Sequence, residues 1–302
     1  MSYKPDLDRF RFYREMQLWP VSRKLNYENW LDNFEADDDK EIAEQILKFF
    51  IYIPDDMMTQ MLQTAVGKCG YYFKLNDPKW THDSFKTDCW YSFIQGENKT
   101  DKTDSGYVFI RMLHEKLGIP NNRIVDFAQL IQILEVNITT PQNVILVDDI
   151  VGSGAQCDTA WNNHRYGKFG KTLLEHVLSY KHRVVFAPLI VNEQGYNRIM
   201  RKCKGLHLEY IYKLGPEYSL FNKDGICWRG NETKYKRWID LLRRIANKER
   251  FPITGGRVVD DVQGFGMQGL ALAFDHCIPD ACPSIFYKET DTWKPLKTRP
   301  KD

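Results

Sequence analysis

Val144-Ile145-Leu146-Val147-Asp148-Asp149-Ile150-Val151-Gly152-Ser153-Gly154 decides how the rest of the chain is read. The leading residues are continuously apolar, the pattern of a parallel strand buried on both faces. Two adjacent carboxylates follow, then a hydrophobic pair, a loop of small residues and a stretch that reads as helix. The C-terminal end of such a strand is where open α/β sheets bind ligands. Gly152 and Gly154 let backbone N–H groups converge on an anion, Ser153 adds a hydroxyl donor, and the next helix brings its positive end. Phosphate fits that loop. Asp148 and Asp149 cannot bind the phosphate itself. They are placed to accept hydrogen bonds from sugar hydroxyls or to hold a divalent cation through water. One acid could simply cap the next helix; two of them before Gly-Ser-Gly favour a ligand in which phosphate and ribose lie side by side.

Working outward, residues 71–215 alternate in period. Short β-rich runs stand at Cys89–Gln95, Arg123–Phe127, Asn143–Asp149, His182–Val191 and Leu206–Ile211. Between them lie helical stretches at Tyr107–Leu117, Ala155–Trp161 continuing at Lys171–Tyr180, and Tyr196–Lys202. Strands alternating with helices predict an α/β fold, a parallel sheet with helices on both faces. Residues 1–70 read as a separate helical segment, with an apolar stripe from Ile42 to Ile53 and another from Met57 to Val66 closed by Gly67. Residues 216–302 read as a C-terminal α+β extension that covers or flanks the core. It has an amphipathic helix marked by Tyr235, Trp238, Ile239, Leu242, Ile245 and Ala246, a glycine-rich stretch from Gly255 to Gly269, and a strand-like Leu270–Phe274.

Composition excludes several classes. The chain has 302 residues, 43% of them hydrophobic, enough to build a substantial core and too many for general disorder. Its net charge of +2 gives no global field toward nucleic acid or membrane. The apolar run Val184–Val191 is far too short to span a bilayer, and Lys4, Asp6, Asp8 and Arg9 stand where a signal peptide would begin, so a cytoplasmic protein without a membrane partner is expected. Seven cysteines without CxxC pairs read as free thiols in a reducing compartment. No G-x-S-x-G, H-E-x-x-H or P-loop occurs, and Gly152-Ser153-Gly154 lacks the lysine that an NTPase needs.

The strand, paired acids and small-residue loop resemble the ribose-5-phosphate loop of type I phosphoribosyltransferases. The usual loop has two threonines before its glycine and a further hydroxyl residue two positions after it. Here Gly152-Ser153 and Gln156 take those places, so the backbone part of the cradle is kept and part of the side-chain donor set is replaced. Asp-Asp-Ile-Val-Gly-Ser-Gly-Ala-Gln is closer to a divergent branch, the phosphoribosyltransferase-like effectors of bacterial conflict systems, abbreviated PRTase-CE. Trp30-Leu31-Asp32-Asn33-Phe34, Asp104-Ser105-Gly106, Gly264-Phe265-Gly266, Gly269-Leu270-Ala271-Leu272 and Ile278-Pro279-Asp280 agree with that branch.

The resemblance implies an antiphage effector, in some cases encoded with a retron reverse transcriptase. It also implies a ligand such as 5-phosphoribosyl pyrophosphate (PRPP) or a nucleotide, Mg²⁺ held through ligand and water and not directly by protein, and chemistry at the ribose anomeric carbon. Asp148 and Asp149 would hold the ribose, and Ile150, Val151, Gly152, Ser153, Gly154, Ala155 and Gln156 the phosphate. Asp104, Ser105 and Gly106 would form the pyrophosphate loop, unless they are an ordinary helix start. The alternative is a non-enzymatic module that senses PRPP or a nucleotide, or binds nucleic acid or protein, such as a reverse transcriptase–nucleic acid complex or another defence-system protein. Lys234, Lys236, Arg237, Arg243 and Arg244 on the C-terminal helix could then grip a phosphate backbone, against the plainer reading of a solvated basic face. His276 with Cys277 and Cys282 is a weak metal candidate.

Overall fold

The computed structural model describes residues 6–16, 18–19, 24–94 and 106–299. In chain order these form helices α1 (Leu7–Glu15), α2 (Tyr27–Leu31) and α3 (Asp37–Phe49), strand β1 (Ile51–Ile53), helices α4 (Asp55–Asn76) and α5 (Ser84–Thr87), strand β2 (Cys89–Phe93), helices α6 (Gly106–Glu115) and α7 (Phe127–Val136), strand β3 (Asn143–Val151), the short helix α8 (Ala155–Asp158), helix α9 (Leu173–Tyr180), strand β4 (Arg183–Asn192), helix α10 (Glu193–Lys202), strands β5 (His207–Leu208) and β6 (Tyr212–Leu214), helix α11 (Glu232–Glu249) and strand β7 (Leu272–Phe274). The fold is α/β, with a mostly parallel sheet and helices beside it. No helix among the described residues is long and apolar enough to cross a membrane.

The chain divides into two compact units. One is the continuous stretch 56–213; the other joins residues 1–55 to 214–302. This differs from the three consecutive segments expected at 1–70, 71–215 and 216–302. The reason lies in a strand hidden inside an apparent helical stripe. Apolar spacing carries the helix from Ile42 toward Ile53, but α3 stops at Phe49 and Ile51–Ile53 turns extended to pair in parallel with Leu272–Phe274.

In the unit 56–213, β2, β3, β4 and β5 lie side by side in that order, each adjacent pair parallel. Val144, Ile145, Leu146 and Val147 of β3 and Val184, Val185, Phe186 and Ala187 of β4 are all buried. Ile131, Leu134, Trp161, Val177 and Ile199 pack in the same core as Val144, Leu146, Val184 and Phe186. Arg123–Phe127, expected as a strand, contributes only a bridge from Ile124 to Tyr91. A capping box at Asp126 and Gln129 instead starts α7, a helix the apolar run had concealed. Helix α4 runs through Gly67 to Asn76 because its buried stripe continues as Cys69 and Phe73.

In the other unit, α3 presents Ile42, Ala43, Ile46 and Leu47 to the interior, and α11 presents Trp238, Leu241, Leu242, Ile245 and Ala246. Phe10 stacks on Trp19 with ring centroids 5.3 Å apart. The Trp30 indole donates to the Ile285 carbonyl at 3.0 Å, and the Asn26 N–H to Leu296 O at 2.7 Å. The two ends of the chain thus share one core.

Candidate functional site

Strand β3 does not end at its acids. It runs on to Val151, so Asp148 and Asp149 belong to the strand's last turns of pleat. In the register Asp148 stands opposite Pro188, which has no N–H to give, and pairing resumes at Ile150 opposite Ile190. Asp148 is half-buried and Asp149 buried. Each carboxylate bends back onto the chain: Asp148 Oδ1 accepts the Asp149 N–H at 2.9 Å and Asp149 Oδ1 the Ile150 N–H at 2.7 Å. The carboxylates are hard oxygen donors beside a small-residue loop.

Gly154 has φ 71°, in the left-handed region, and caps α8. The loop rests on the first turn of α10. A Cβ on Gly154 would lie 3.0 Å from Gly195 O, and one on Gly195 would lie 2.4 Å from Gly152 O and 2.6 Å from Val151 Cγ1. Backbone meets backbone there with no room for a methyl group. Ser153 Oγ accepts the Ala155 N–H at 3.3 Å, which shapes the turn. Gln156 is exposed and gives its amide to Ile94 O at 2.8 Å, just after β2.

Behind the loop, a buried carboxylate fixes α8 to α10. Asp158 Oδ2 accepts Arg198 Nε at 2.9 Å and Lys202 Nζ at 3.1 Å, while Oδ1 accepts Asn162 Nδ2 at 2.9 Å. Burial pushes the Asp158 pKa up, but these hydrogen bonds outweigh it and hold the carboxyl below the usual value of 3.8. Cys157 beside it is buried; a hydrogen bond with Cys203, then burial, drives its thiol pKa well up, so it is an inert thiol. All seven cysteines are free.

Asp104 and Ser105 lie outside the described residues. Gly106 opens α6 and is buried, and a Cβ there would lie 2.1 Å from Phe93 Cδ2, so close packing against β2 demands glycine. The five basic residues of α11 considered for nucleic-acid binding each meet a carboxylate. Lys234 pairs with Glu41 at 2.8 Å, Arg237 with Asp38 at 3.6 Å and Arg244 with Asp39 at 2.7 Å, all on α3. Lys236 pairs with Glu232 at 2.8 Å and Arg243 with Asp240 at 3.5 Å within α11 itself. Sequence reasoning missed Gly195, Asp158, Arg198 and Lys202. A glycine in the first turn after a buried strand was the one visible signal; the Asp158 partners lie 40 and 44 positions away, with no local pattern.

No curated protein matches the chain. Among models of known families, the one described as PRTase-CE matches residues 27–299, nearly its whole length. The α/β fold with its mostly parallel sheet is consistent with a phosphoribosyltransferase-like module, and the chain belongs to the PRTase-CE family.

Proposed function

We propose that the loop from Asp148 to Gln156 binds the ribose-5-phosphate part of PRPP or of a nucleotide together with Mg²⁺, that the chain acts at the ribose anomeric carbon, and that it is an effector of bacterial antiphage defence of the retron-associated kind. The observation that carries this reading is the seating of Gly152 and Gly154 on Gly195, which fixes the loop's backbone at the C-terminal end of a central parallel strand. Fixed N–H groups cost no reorganisation when an anion arrives.

The residues divide the work. Gly152, Ser153 and Gly154 anchor the phosphate. Asp148 and Asp149 accept hydrogen bonds from ribose hydroxyls and hold the ring still while its anomeric carbon gains positive charge. Carboxylate oxygens suit Mg²⁺ through water, and the ion when bound neutralises charge on the leaving group. The hydrogen-bonded carboxylates of half-buried Asp148 and buried Asp149 fit that role, and no protein atom is required to coordinate the ion directly.

The test is calorimetric titration of the purified chain with PRPP in MgCl₂, followed by an assay of pyrophosphate release with a panel of bases and nucleotides. Saturable binding that is lost in D148N/D149N supports the site, and no binding by the wild-type chain overturns it. Binding without turnover favours the second reading, a sensor that keeps the pocket without chemistry. The commitment of the Gln156 amide to Ile94, at the position where the type I phosphoribosyltransferase loop carries a hydroxyl residue, favours that reading.

A further inference from the structure

At the N-terminal ends of β3 and β4, away from the loop of Asp148 to Gln156, two buried histidines join β4 and α9 to α7. His182 is 4% exposed and lies just before β4. Its Nε2 meets Leu134 O at 3.0 Å, and its Nδ1 meets the N–H of Gln142, the residue before β3, at 3.1 Å. A carbonyl can only accept and a backbone N–H can only donate. The partners therefore fix the ring: Nε2 carries the proton and Nδ1 keeps its lone pair. An imidazolium would turn a second N–H against the Gln142 N–H and break that hydrogen bond, with no solvent beside it to offer another. The hydrogen-bond geometry itself demands a neutral His182.

His176, on α9, is fully buried. No described group meets either ring nitrogen in good hydrogen-bond geometry, although the Tyr166 backbone lies close enough to favour the charged form. Its Nε2 is 3.9 Å from Glu135 Oε1. That carboxylate is already in use: Oε1 accepts the Phe169 N–H and Oε2 the Lys168 N–H, each at 3.1 Å. It thereby seats a hairpin closed by the Tyr166 N–H on Lys171 O at 2.8 Å. The seat is so close that a Cβ on Gly167 would lie 2.1 Å from Glu135 Oε1. A charged His176 would compete with Phe169 for that oxygen. Of the other groups that face the pair, Lys171 donates to the Tyr180 hydroxyl at 3.0 Å, Glu175 accepts the Thr172 N–H, and Arg183 turns to Asn143 and Asp77. Burial is the largest influence on both rings and holds each pKa below the ordinary 6.5. Glu135, the Tyr166 backbone and Glu175 pull His176 upward and Lys171 pushes it down; the Leu134 carbonyl pulls His182 upward and His176 repels it.

We propose that His176 and His182 are the sensors of an acid-released catch, which holds the hairpin 166–171 and the start of β3 at neutral pH and lets both go on acidification. With the rings uncharged, Glu135 stays on the hairpin and Gln142 on His182, so α7 is tied to the hairpin and to the start of β3. On acidification each ring takes a proton from water. His182 then loses the Gln142 N–H, and His176 draws the Glu135 carboxylate off the Phe169 N–H. The direction follows from linkage. A ring held neutral in the fold and free to charge in the unfolded chain leaves stability full above about pH 6.5, and the contribution is lost as pH falls below that value.

Hydrogen exchange of the full-length chain, read by mass spectrometry at about pH 7.5 and about pH 5.5 and corrected for the intrinsic pH dependence of exchange, tests the catch. Carboxylates of ordinary pKa stay ionised across that range, and histidines titrate within it. Protection at the amides of Gln142, Lys168 and Phe169 should fall by about tenfold for each histidine that must charge one pH unit below its ordinary value. Peptides from α10 should keep their protection. Equal protection of the three amides at both pH values overturns the proposal, as does a loss of the same size in α10. H182Q supplies a second arm, because glutamine offers an N–H to Leu134 and a carbonyl oxygen to Gln142 and does not titrate. Its Gln142 amide should stay protected in acid; a loss equal to that of the wild type overturns the role of His182. The wild-type comparison decides the matter even where H182Q fails to fold.

Discussion

A methyl group on Gly195 would lie 2.4 Å from the Gly152 carbonyl oxygen, and the obstacle is backbone, which cannot rotate away. G195A should therefore lose about 1–3 kcal/mol of stability, the usual penalty of overpacking, and weaken phosphate binding at the displaced loop. Urea unfolding and phosphate titration check both effects. Gly67 offers the opposite case. It sits inside α4 with nothing within 4 Å of a built Cβ, so G67A should gain about 0.5–1 kcal/mol through helix propensity. Equal effects from the two substitutions would sink the steric account. The carboxylates make a separate prediction. D148N/D149N removes two charge-assisted hydrogen bonds of roughly 1.5–3 kcal/mol each, lowering ribose-phosphate affinity by about two to four orders of magnitude. The melting temperature of the ligand-free variant should stay level or rise, because adjacent like charges repel; a fall would mark the pair as structural.

Between elements, the tie from α8 to α10 has a pH signature. The folded-state pKa of Asp158 is lowered from 3.8. Its contribution is then present above the unfolded value and is lost as pH falls through the folded one. D158N should destabilise by about 1–3 kcal/mol at neutral pH, since it leaves Arg198 and Lys202 without a counter-charge. Melting temperatures of variant and wild type should converge in acid below the 3.8 reference; a gap that persists there would show that the loss is not electrostatic. The same level explains what the sequence could and could not tell. Runs such as Val144–Val147 and Val184–Ala187 identify their strands because both faces are buried and the apolar signal is continuous. The candidate loop was legible because its glycines are contiguous with that strand. Ile51–Ile53 was not, since three extended residues carry the same apolar content as the end of α3 and are distinguished only by a partner far along the chain. The basic stripe of α11 was legible as charge but not as an ion-paired face, because its partners Asp38, Asp39 and Glu41 lie on α3.

For the whole molecule, the division of the chain sets the expectation for fragments. Residues 56–213 are continuous and carry the β2–β5 sheet with its own core, so that fragment should fold alone with a cooperative melt and retain phosphate binding at the loop. Residues 1–55 expressed alone should stay unfolded, and should gain helix when mixed with 214–302. Circular dichroism of the three pieces and of the mixture checks this, and a folded 1–55 would contradict it. The parallel pairing of Ile51 with Leu272 carries one more consequence, for synthesis on the ribosome. Ile51–Ile53 emerges early and has no strand to join until β7 is made. Throughout that interval the segment is an unpaired apolar edge. The sheet-bearing middle can be complete while the polypeptide is still attached to its transfer RNA, whereas Tyr52 and Asp275 meet only once β7 has been made. A product truncated before β7, from a broken message or an interrupted elongation, would then retain the glycine loop but lack the β1–β7 pair. The codons for β7 thus decide which copies complete the pairing with β1.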